Sequence, residues 1–262
     1  MQHVDVRVHD GVATVLMERE SKHAALDPSL LQDLRQAISD VHQEKRVRAM
    51  VLASRGETFC SGVDLGVLHR INELPEAERP GQWFEYWRQV AETCEDLLRL
   101  PKPAVAAVDG ACLGAGLSLI LACDLVIASN RSRFSANASR WGLVGGTTAA
   151  LLAFRFGGAV ASRLALTGAS IDAEQARELG WLGSSPVPPD QVWVQACECA
   201  NRAASGSPEA VAATKRLVNE TVGEQLMSHL AGAAAASATL CSTESAQEGV
   251  RAFVEKRDPK WT

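Results

Sequence analysis

The sequence predicts an α/β fold with a helical C-terminal subdomain. Strand-like and helix-like segments alternate through the first half, two glycine-bearing segments stand where a strand passes into a helix, and alanine-rich helical segments fill the last third. Such alternation is typical of βα crossover units around a largely parallel, buried sheet. We therefore expect a core domain over residues 1–190 and a helical subdomain over residues 191–262.

The N-terminal elements are predicted from the spacing of their apolar residues and from residues that favour turns and helix caps. Residues 4–8 and 12–17 read as a strand pair around the turn Asp10-Gly11. Asp27-Pro28 supplies an N-cap and a proline at the first helical position. The apolar residues of this helix repeat at helical spacing: Leu30, Leu31, Leu34, Ala37, Ile38 and Val41. Residues 48–53 then form a β-like run that ends in a polar loop, residues 54–58.

The later elements follow the same alternation. A helical stretch over residues 83–100 leads to a strand over residues 104–108, set off by Pro101 and Pro103. After Asp109-Gly110, an apolar helix over residues 115–122 precedes a short strand over residues 124–129. A proline-rich break near residue 188 precedes alanine-rich helices from about residue 191 to residue 246. Because such helices need a partner surface, we expect them to cover the active site or a neighbouring subunit.

Composition limits the classes of function. Hydrophobic residues make up 47% and charged residues 22% of the chain, and the formal net charge is −5. A net negative charge does not attract nucleic acid or an anionic membrane surface, so we expect neither as a partner. The N-terminus lacks the pattern of a signal peptide, and no apolar stretch is charge-free over the roughly 20 residues of a membrane span. Seven scattered cysteines indicate reduced thiols, no metal site and a cytoplasmic protein.

Two glycine-bearing segments are the candidates for chemistry. They are residues 59–65, Phe-Cys-Ser-Gly-Val-Asp-Leu, and residues 109–118, Asp-Gly-Ala-Cys-Leu-Gly-Ala-Gly-Leu-Ser. At a strand-to-helix junction, backbone N–H groups lack an internal partner and the helix dipole favours negative charge. The second segment lacks the full dinucleotide spacing, and the chain has no G-x-x-x-x-G-K-[ST] phosphate loop. We therefore expect no nucleotide cofactor.

The ordered motifs resemble those of the crotonase (enoyl-CoA hydratase/isomerase) superfamily over nearly the whole chain. The matching pieces are residues 22–26, 59–65, 102–110, 114–118, 122–125, 166–168, 171–176, Gly180 and 253–257. The resemblance implies a crotonase-like spiral of ββα units, assembled as a homotrimer or homohexamer. It implies an acyl-CoA thioester as substrate, with coenzyme A as part of that substrate and no separate cofactor. The thioester enolate would be stabilised by two backbone N–H groups, those of Val63 and Ala115.

The resemblance also implies a set of coenzyme A contacts. The backbone positions that match the family's adenine- and pantetheine-binding motif are Ala24, Ala25, Leu26, Asp64 and Leu65. Lys22 and, from a neighbouring subunit, Lys256 are candidate phosphate partners, because a flexible ammonium group suits a phosphate contact.

The chain departs from the family at both glutamates that hydratases use as acid and base. Ser118 stands at the first position and Ala138 at the second. An alanine has no proton to move, and an unactivated serine hydroxyl is a poor base near neutral pH. Residues 144–148 supply no carboxylate in their place. We therefore expect both residues to face the acyl pocket and hydration of a simple enoyl-CoA to be slow.

Several other polar residues remain candidates for the pocket. They are Asn137, Arg140, His69, Glu85 and Tyr86, with Trp141 as a further acyl-pocket residue. Among them, the imidazole of His69 is the side chain best suited to proton transfer. Asn137 and Arg140 have a second use, which is recognition of a carboxylate or carbonyl on the acyl group.

Three functions therefore stay open. The first is an enoyl-CoA hydratase/isomerase-family lyase or isomerase with a non-standard acid/base set. The second is a catalytically silent acyl-CoA-binding or assembly subunit. The third is an acyl-CoA decarboxylase, which needs few acid/base groups because loss of CO2 itself generates the enolate.

Overall fold

The computed structural model describes residues 1–223 and 225–261. The elements of the first half are β1 (Val4–His9), β2 (Val12–Met17), α1 (Pro28–Gln43), β3 (Ala49–Ser54), β4 (Thr58–Cys60), α2 (Leu65–Asn72), α3 (Arg79–Arg99), β5 (Ala104–Val108), β6 (Ala111–Leu113), α4 (Ala115–Ala122) and β7 (Leu125–Ala128). Those of the second half are β8 (Arg133–Ser135), α5 (Gly146–Thr167), β9 (Ser170–Asp172), α6 (Ala173–Glu178), α7 (Val192–Ala203), α8 (Pro208–Gly223), α9 (Leu226–Leu240) and α10 (Glu244–Val254). Short 3₁₀ turns lie at Glu20–Lys22, Ala138–Trp141 and Pro189–Gln191.

A five-stranded sheet in the order β1-β2-β3-β5-β7 confirms the predicted buried parallel arrangement. β1 and β2 are antiparallel and joined at Asp10-Gly11, where both residues have positive φ, whereas the remaining neighbours are parallel. The side chain of Asp27 caps α1 by accepting a hydrogen bond of 2.9 Å from Leu30 N. The six apolar residues that predicted this helix are all buried.

A second sheet of four short strands, in the order β4-β6-β8-β9, was not predicted by the sequence. Its strands have three residues each, too few to show a period. β4 and β6 are parallel neighbours, and a helix follows each of them closely in the chain, α2 after β4 and α4 after β6. This sheet places the two glycine-bearing segments side by side.

The first C-terminal helix packs on the core rather than on the other C-terminal helices. Val192, Ala196 and Ala200 of α7 belong to a buried cluster with Val51 and Val105 on the five-stranded sheet. α7 thus covers one face of that sheet, although the sequence assigned it to the C-terminal subdomain. The division at residue 190 remains a prediction.

Helix packing and one buried ion pair hold the remaining C-terminal helices against the core. α9 packs against α3 and α5, and α10 packs against α2. Lys215 of α8 lies 2.8 Å from the carboxylate of Asp124, with 7% of its side chain exposed. Its ammonium also donates to the carbonyl groups of Leu97 and Lys102. Such a pair is costly to break, because a lone charge would stay buried.

Within the described residues, one helix, α5, is long and apolar enough to cross a membrane by length and composition. Helices packed within globular proteins pass the same test. α5 packs against α4 and α9, and its course is interrupted at Gly157, whose φ is +78°. Across residues 1–223 and 225–261, no group of three or more His, Cys, Asp or Glu side chains is placed to hold a metal ion.

Candidate active site

A cavity of about 400 Å³ opens where the two glycine-bearing segments meet. Both residues predicted to donate backbone N–H groups line it, and α5 contributes its first turn. The other predicted site residues among its walls are Lys22, Ala25, Asp64, Leu65, Asn137, Ala138 and Trp141. The structure therefore brings together most of the residues that the sequence selected from distant parts of the chain.

Glycines allow the two segments to approach closely. A Cβ atom at Gly62, whose φ is +97°, would lie 3.0 Å from the carbonyl oxygen of Leu113 and 3.4 Å from the nitrogen of Ala115. A Cβ atom at Gly116 would lie 2.7 Å from the Cβ of Cys60 and 2.8 Å from its carbonyl oxygen. These distances are too short for a larger residue, so glycine at both positions keeps the two segments in contact.

The N–H group of Ala115 stands at the start of α4, where it has no intrahelical acceptor. Gly114 precedes it with φ 50° and ψ −123°, a conformation that glycine tolerates. The Gly114 carbonyl accepts hydrogen bonds of 3.0 Å from Leu117 N and from the hydroxyl of Thr148. Since N–H and C=O point in opposite directions in a trans peptide, the Ala115 N–H points away from α4.

The N–H group of Val63 is positioned by a short parallel bridge to residues 24–26. Leu26 N donates to the Gly62 carbonyl at 2.8 Å, and Asp64 N donates to the Leu26 carbonyl at 2.9 Å. In a parallel ladder the residue between these two bonds turns its own N–H to the opposite side. The Val63 N–H therefore faces away from the 24–26 segment.

Arg19 and Tyr86 hold the 24–26 segment against the first glycine-bearing segment. The guanidinium of Arg19 lies 2.9 Å from the carboxylates of Asp27 and Asp64 and donates to the Ala25 carbonyl at 2.7 Å. The Tyr86 hydroxyl donates to the Leu26 carbonyl and accepts from Asp64 N. Burial raises the pKa of Tyr86 well above its ordinary value, so the hydroxyl stays protonated. Sequence reasoning missed Arg19, because its partner in the first glycine-bearing segment, Asp64, lies 45 residues away in the chain.

Comparison with known proteins identifies the family. The model of the enoyl-CoA hydratase/isomerase family matches residues 7–262. The chain belongs to this family. A candidate enoyl-CoA hydratase of Thermus thermophilus is 33% identical over 257 residues, covering 98% of this chain and 100% of that protein. The 2,3-dehydroadipyl-CoA hydratase of Escherichia coli is 29% identical over 268 residues, covering 99% of this chain and 98% of that protein.

Solved structures in the enoyl-CoA hydratase/isomerase family share the whole fold. The crystal structure of an enoyl-CoA hydratase from Mycobacterium avium subsp. paratuberculosis superposes with a TM-score of 0.86 at 25% identity. That comparison covers 99% of this chain and 98% of the other. An enoyl-CoA hydratase structure from Mycobacterium avium gives 0.82 at 29% identity and covers 99% of both chains. The crotonase-like fold, with its helical C-terminal region, is thus confirmed.

The two positions predicted to replace the glutamates of hydratases differ in their surroundings. Ala138 lines the cavity, as predicted. Ser118 is fully buried, and its hydroxyl lies 2.8 Å from the hydroxyl of Thr148, which does line the cavity. The expectation that Ser118 faces the acyl pocket is therefore corrected. Ser118 lies behind Thr148, because the first turn of α5 packs over α4 at this point.

The other predicted acid/base and anion-binding residues lie outside the cavity. His69 on α2 has its Nε2 atom 3.5 Å from a carboxylate oxygen of Glu73. Glu85 pairs with Arg88, and hydrogen bonds from Arg88 hold the pKa of this carboxyl below its ordinary value. Arg140 is exposed and packs beside Gly168. Neither His69 nor Arg140 is among the described residues that line the cavity, and the roles predicted for them stay predictions.

The residues predicted to contact coenzyme A differ in exposure. Lys22 is exposed at the cavity, and the neighbouring His23 and Ala24 have positive φ, which marks a tight turn at this edge. Ala24 and Leu26 are buried, and their N–H groups already donate to the carbonyls of Arg19 and Gly62, so their contacts with coenzyme A stay predictions. Lys256 is exposed, and its predicted role from a neighbouring subunit remains a prediction.

The cavity has few charged side chains, and these lie at its edge. Among the described residues that line it, Asp64 is the single carboxylate, and Arg19 pairs with it. The inner wall is made by small or apolar residues and by the hydroxyl-bearing first turn of α5, at Gly145, Gly146, Thr147 and Thr148. This wall contains donors of hydrogen bonds but no strong base.

Proposed function

We propose that this chain binds an acyl-CoA thioester and stabilises its enolate between the N–H groups of Val63 and Ala115. The observation that carries the proposal is the anchoring of both peptide groups by their carbonyl oxygens, at Gly62 and at Gly114. Anchored carbonyls leave the two N–H groups free for a ligand in the cavity. Donors aimed in advance at a developing oxyanion typically lower the barrier by about 3 kcal/mol each.

Coenzyme A would lie along the 24–26 segment and leave the cavity past Lys22. The exposed ammonium of Lys22 suits a phosphate. Lys256 of a neighbouring subunit would supply a second phosphate contact in a homotrimer or homohexamer. The exposed apolar side chains of Leu166 and Phe253 support such assembly, because large apolar groups at a surface favour association. We propose a cytoplasmic location for the assembled enzyme.

The acid/base set restricts the reaction. Hydration and isomerisation require a group that moves a proton, and the cavity's single described carboxylate, Asp64, is held by Arg19 at 2.9 Å. Simple enoyl-CoA hydration should therefore be slow. Water held by the hydroxyl-bearing wall would have to replace the missing carboxylates.

Decarboxylation is the second candidate, and it is favoured because the described cavity walls carry one carboxylate, Asp64, which Arg19 holds, and one imidazole, that of the exposed His23. When a carboxylate on the α carbon leaves as CO2, the electron pair of the broken C–C bond passes into the thioester enolate. A proton from water then completes the acyl-CoA product. Neither step requires a side-chain base, and the two N–H groups stabilise the charge that develops.

Replacing Ala115 by proline tests the proposed role of its N–H group. The first helical position tolerates proline, so Ala115→Pro removes one donor with little cost to α4. Glu244→Pro, at the exposed first position of α10, is the matched control. For the reaction found in a panel of hydration, isomerisation, decarboxylation and thioester cleavage, we expect Ala115→Pro to lower kcat by about 10²–10³.

The same panel separates the alternatives. Wild-type protein that binds acetyl-CoA in calorimetry but turns over no substrate would favour the silent binding subunit. Failure to bind any acyl-CoA, or an unchanged kcat in Ala115→Pro, would contradict the proposed oxyanion site.

A further inference from the structure

Two buried hydroxyl groups form a chain that ends on the peptide carrying the Ala115 N–H. The hydroxyl of Thr148 donates to the Gly114 carbonyl at 3.0 Å. Because this bond uses the one hydroxyl proton of Thr148, Ser118 must donate to Thr148 across the 2.8 Å that separates their oxygens. Ser118 is 0% exposed and Thr148 is 3% exposed, so little water competes for these bonds.

The peptide at the end of this chain needs an anchor. Gly114 has φ 50° and ψ −123°, and its missing side chain removes the steric barrier that would otherwise restrict rotation of the Gly114–Ala115 peptide. In the other glycine-bearing segment, the corresponding anchor is the backbone N–H of Leu26, which is present whatever the side chain. At Gly114 the anchor is partly a side chain, so its presence depends on the residues at positions 118 and 148.

A hydrogen bond to a carbonyl also polarises the N–H of the same peptide. Chains of hydrogen bonds strengthen one another, by an estimated 10–30% per bond. The serine that stands in place of a glutamate thus donates into the scaffold of the site, through Thr148, instead of facing the substrate.

We infer that Ser118 and Thr148 are positioning residues that aim the Ala115 N–H at the thioester oxygen and strengthen it as a donor. This inference rests on the proposed function, because it assigns these hydroxyls a task only if that N–H binds the oxygen. It predicts that the pair acts as a unit and that the effect of Ser118 passes through Thr148.

The test measures the carbonyl stretching frequency of bound acetyl-CoA carrying ¹³C at the thioester carbonyl. Hydrogen bonding weakens the C=O bond, so binding to wild-type protein should lower this frequency relative to acetyl-CoA in water. Thr148→Val keeps the shape of the side chain and removes the hydroxyl. In this variant the frequency should return part of the way to its value in water, while the affinity falls by no more than about tenfold.

Companion variants distinguish positioning from a general loss of packing. Thr148→Ser keeps the hydroxyl and should retain the wild-type frequency, and Ser118→Ala should give an intermediate value. The double variant Ser118→Ala/Thr148→Val should match Thr148→Val alone, because Ser118 acts through Thr148. If Thr148→Val fails to fold, Ser118→Ala and Thr148→Ser carry the test.

A second hydroxyl chain, remote from the cavity, provides the matched control. Ser129 and Ser132 are buried with their hydroxyl oxygens 2.9 Å apart, and Ser132 donates to the Val108 carbonyl at 3.0 Å. Ser132→Ala should reduce stability without moving the carbonyl frequency. A lowered wild-type frequency that stays the same in Thr148→Val would overturn the inference and leave the proposed oxyanion site standing. Bound acetyl-CoA with no lowering in wild-type protein would overturn both.

Discussion

Gly116→Ala tests whether close contact between the two glycine-bearing segments builds the site. The added Cβ would lie 2.7 Å from the Cβ of Cys60 and 2.8 Å from both its sulfur and its carbonyl oxygen. The cysteine side chain has little room to move, since its thiol donates to the Ala24 carbonyl at 3.0 Å. Relief therefore requires a shift of α4 away from β4.

The expected change in stability combines two opposing effects. Overpacking a tight core typically costs 1–3 kcal/mol, and we take about 3 kcal/mol because one contact is with backbone. Alanine is favoured over glycine in a helix by about 1 kcal/mol, which offsets part of this cost. The net loss is about 2 kcal/mol, which for a chain of this size lowers Tm by roughly 4–8 °C.

The control is Gly232→Ala, at an exposed glycine within α9 whose added Cβ would meet no atom within 4 Å. It should raise stability by about 0.5–1 kcal/mol, because only the helix propensity changes. Denaturant unfolding followed by circular dichroism measures both variants. A Gly116→Ala protein as stable as the wild type, with unchanged binding of acetyl-CoA, would refute the view that this contact sets the spacing of the two N–H groups.

Three further outcomes are expected. Ala138→Glu, at a position that lines the cavity, should raise crotonyl-CoA hydration by on the order of 10²-fold, whereas Ser118→Glu should not raise it, because it places a carboxylate behind Thr148, away from the cavity; an unchanged rate in Ala138→Glu would show that the lack of a carboxylate at position 138 does not limit hydration. Lys215→Met should destabilise the protein by about 3 kcal/mol in denaturant unfolding, because it leaves a partly buried carboxylate unpaired; a loss below 1 kcal/mol would contradict this. Hydrogen bonds from Arg257 and the Lys260 backbone lower the pKa of Glu248 from 4.5 to about 2, so Glu248 stabilises the fold above pH 4.5 and loses this effect as the pH falls from 4.5 towards 2. Arg257→Gln should move that pKa back towards 4.5 in an NMR titration, and an unmoved pKa would contradict the assignment.

Local patterns in the sequence were sufficient to predict elements that are stabilised by contacts between neighbouring residues. The cap at Asp27, the helical spacing of α1 and the turn at Asp10-Gly11 all appear as predicted, because caps, periods and tight turns depend on neighbouring residues. The order of motifs was likewise sufficient for the family and its fold. It also selected Val63 and Ala115, which line one cavity in the structure.

Tertiary structure alone decided which side chains reach that cavity. The burial of Ser118 behind Thr148 depends on how α5 packs on α4. The ion pair between Arg19 and Asp64 joins residues 45 positions apart in the chain. The three-residue strands of the second sheet have no period of their own and are stable only as neighbours of one another. The sequence therefore determined the backbone frame of the site, which follows from motifs and glycines. The direction of each polar side chain depends on contacts between distant segments, which no local pattern encodes.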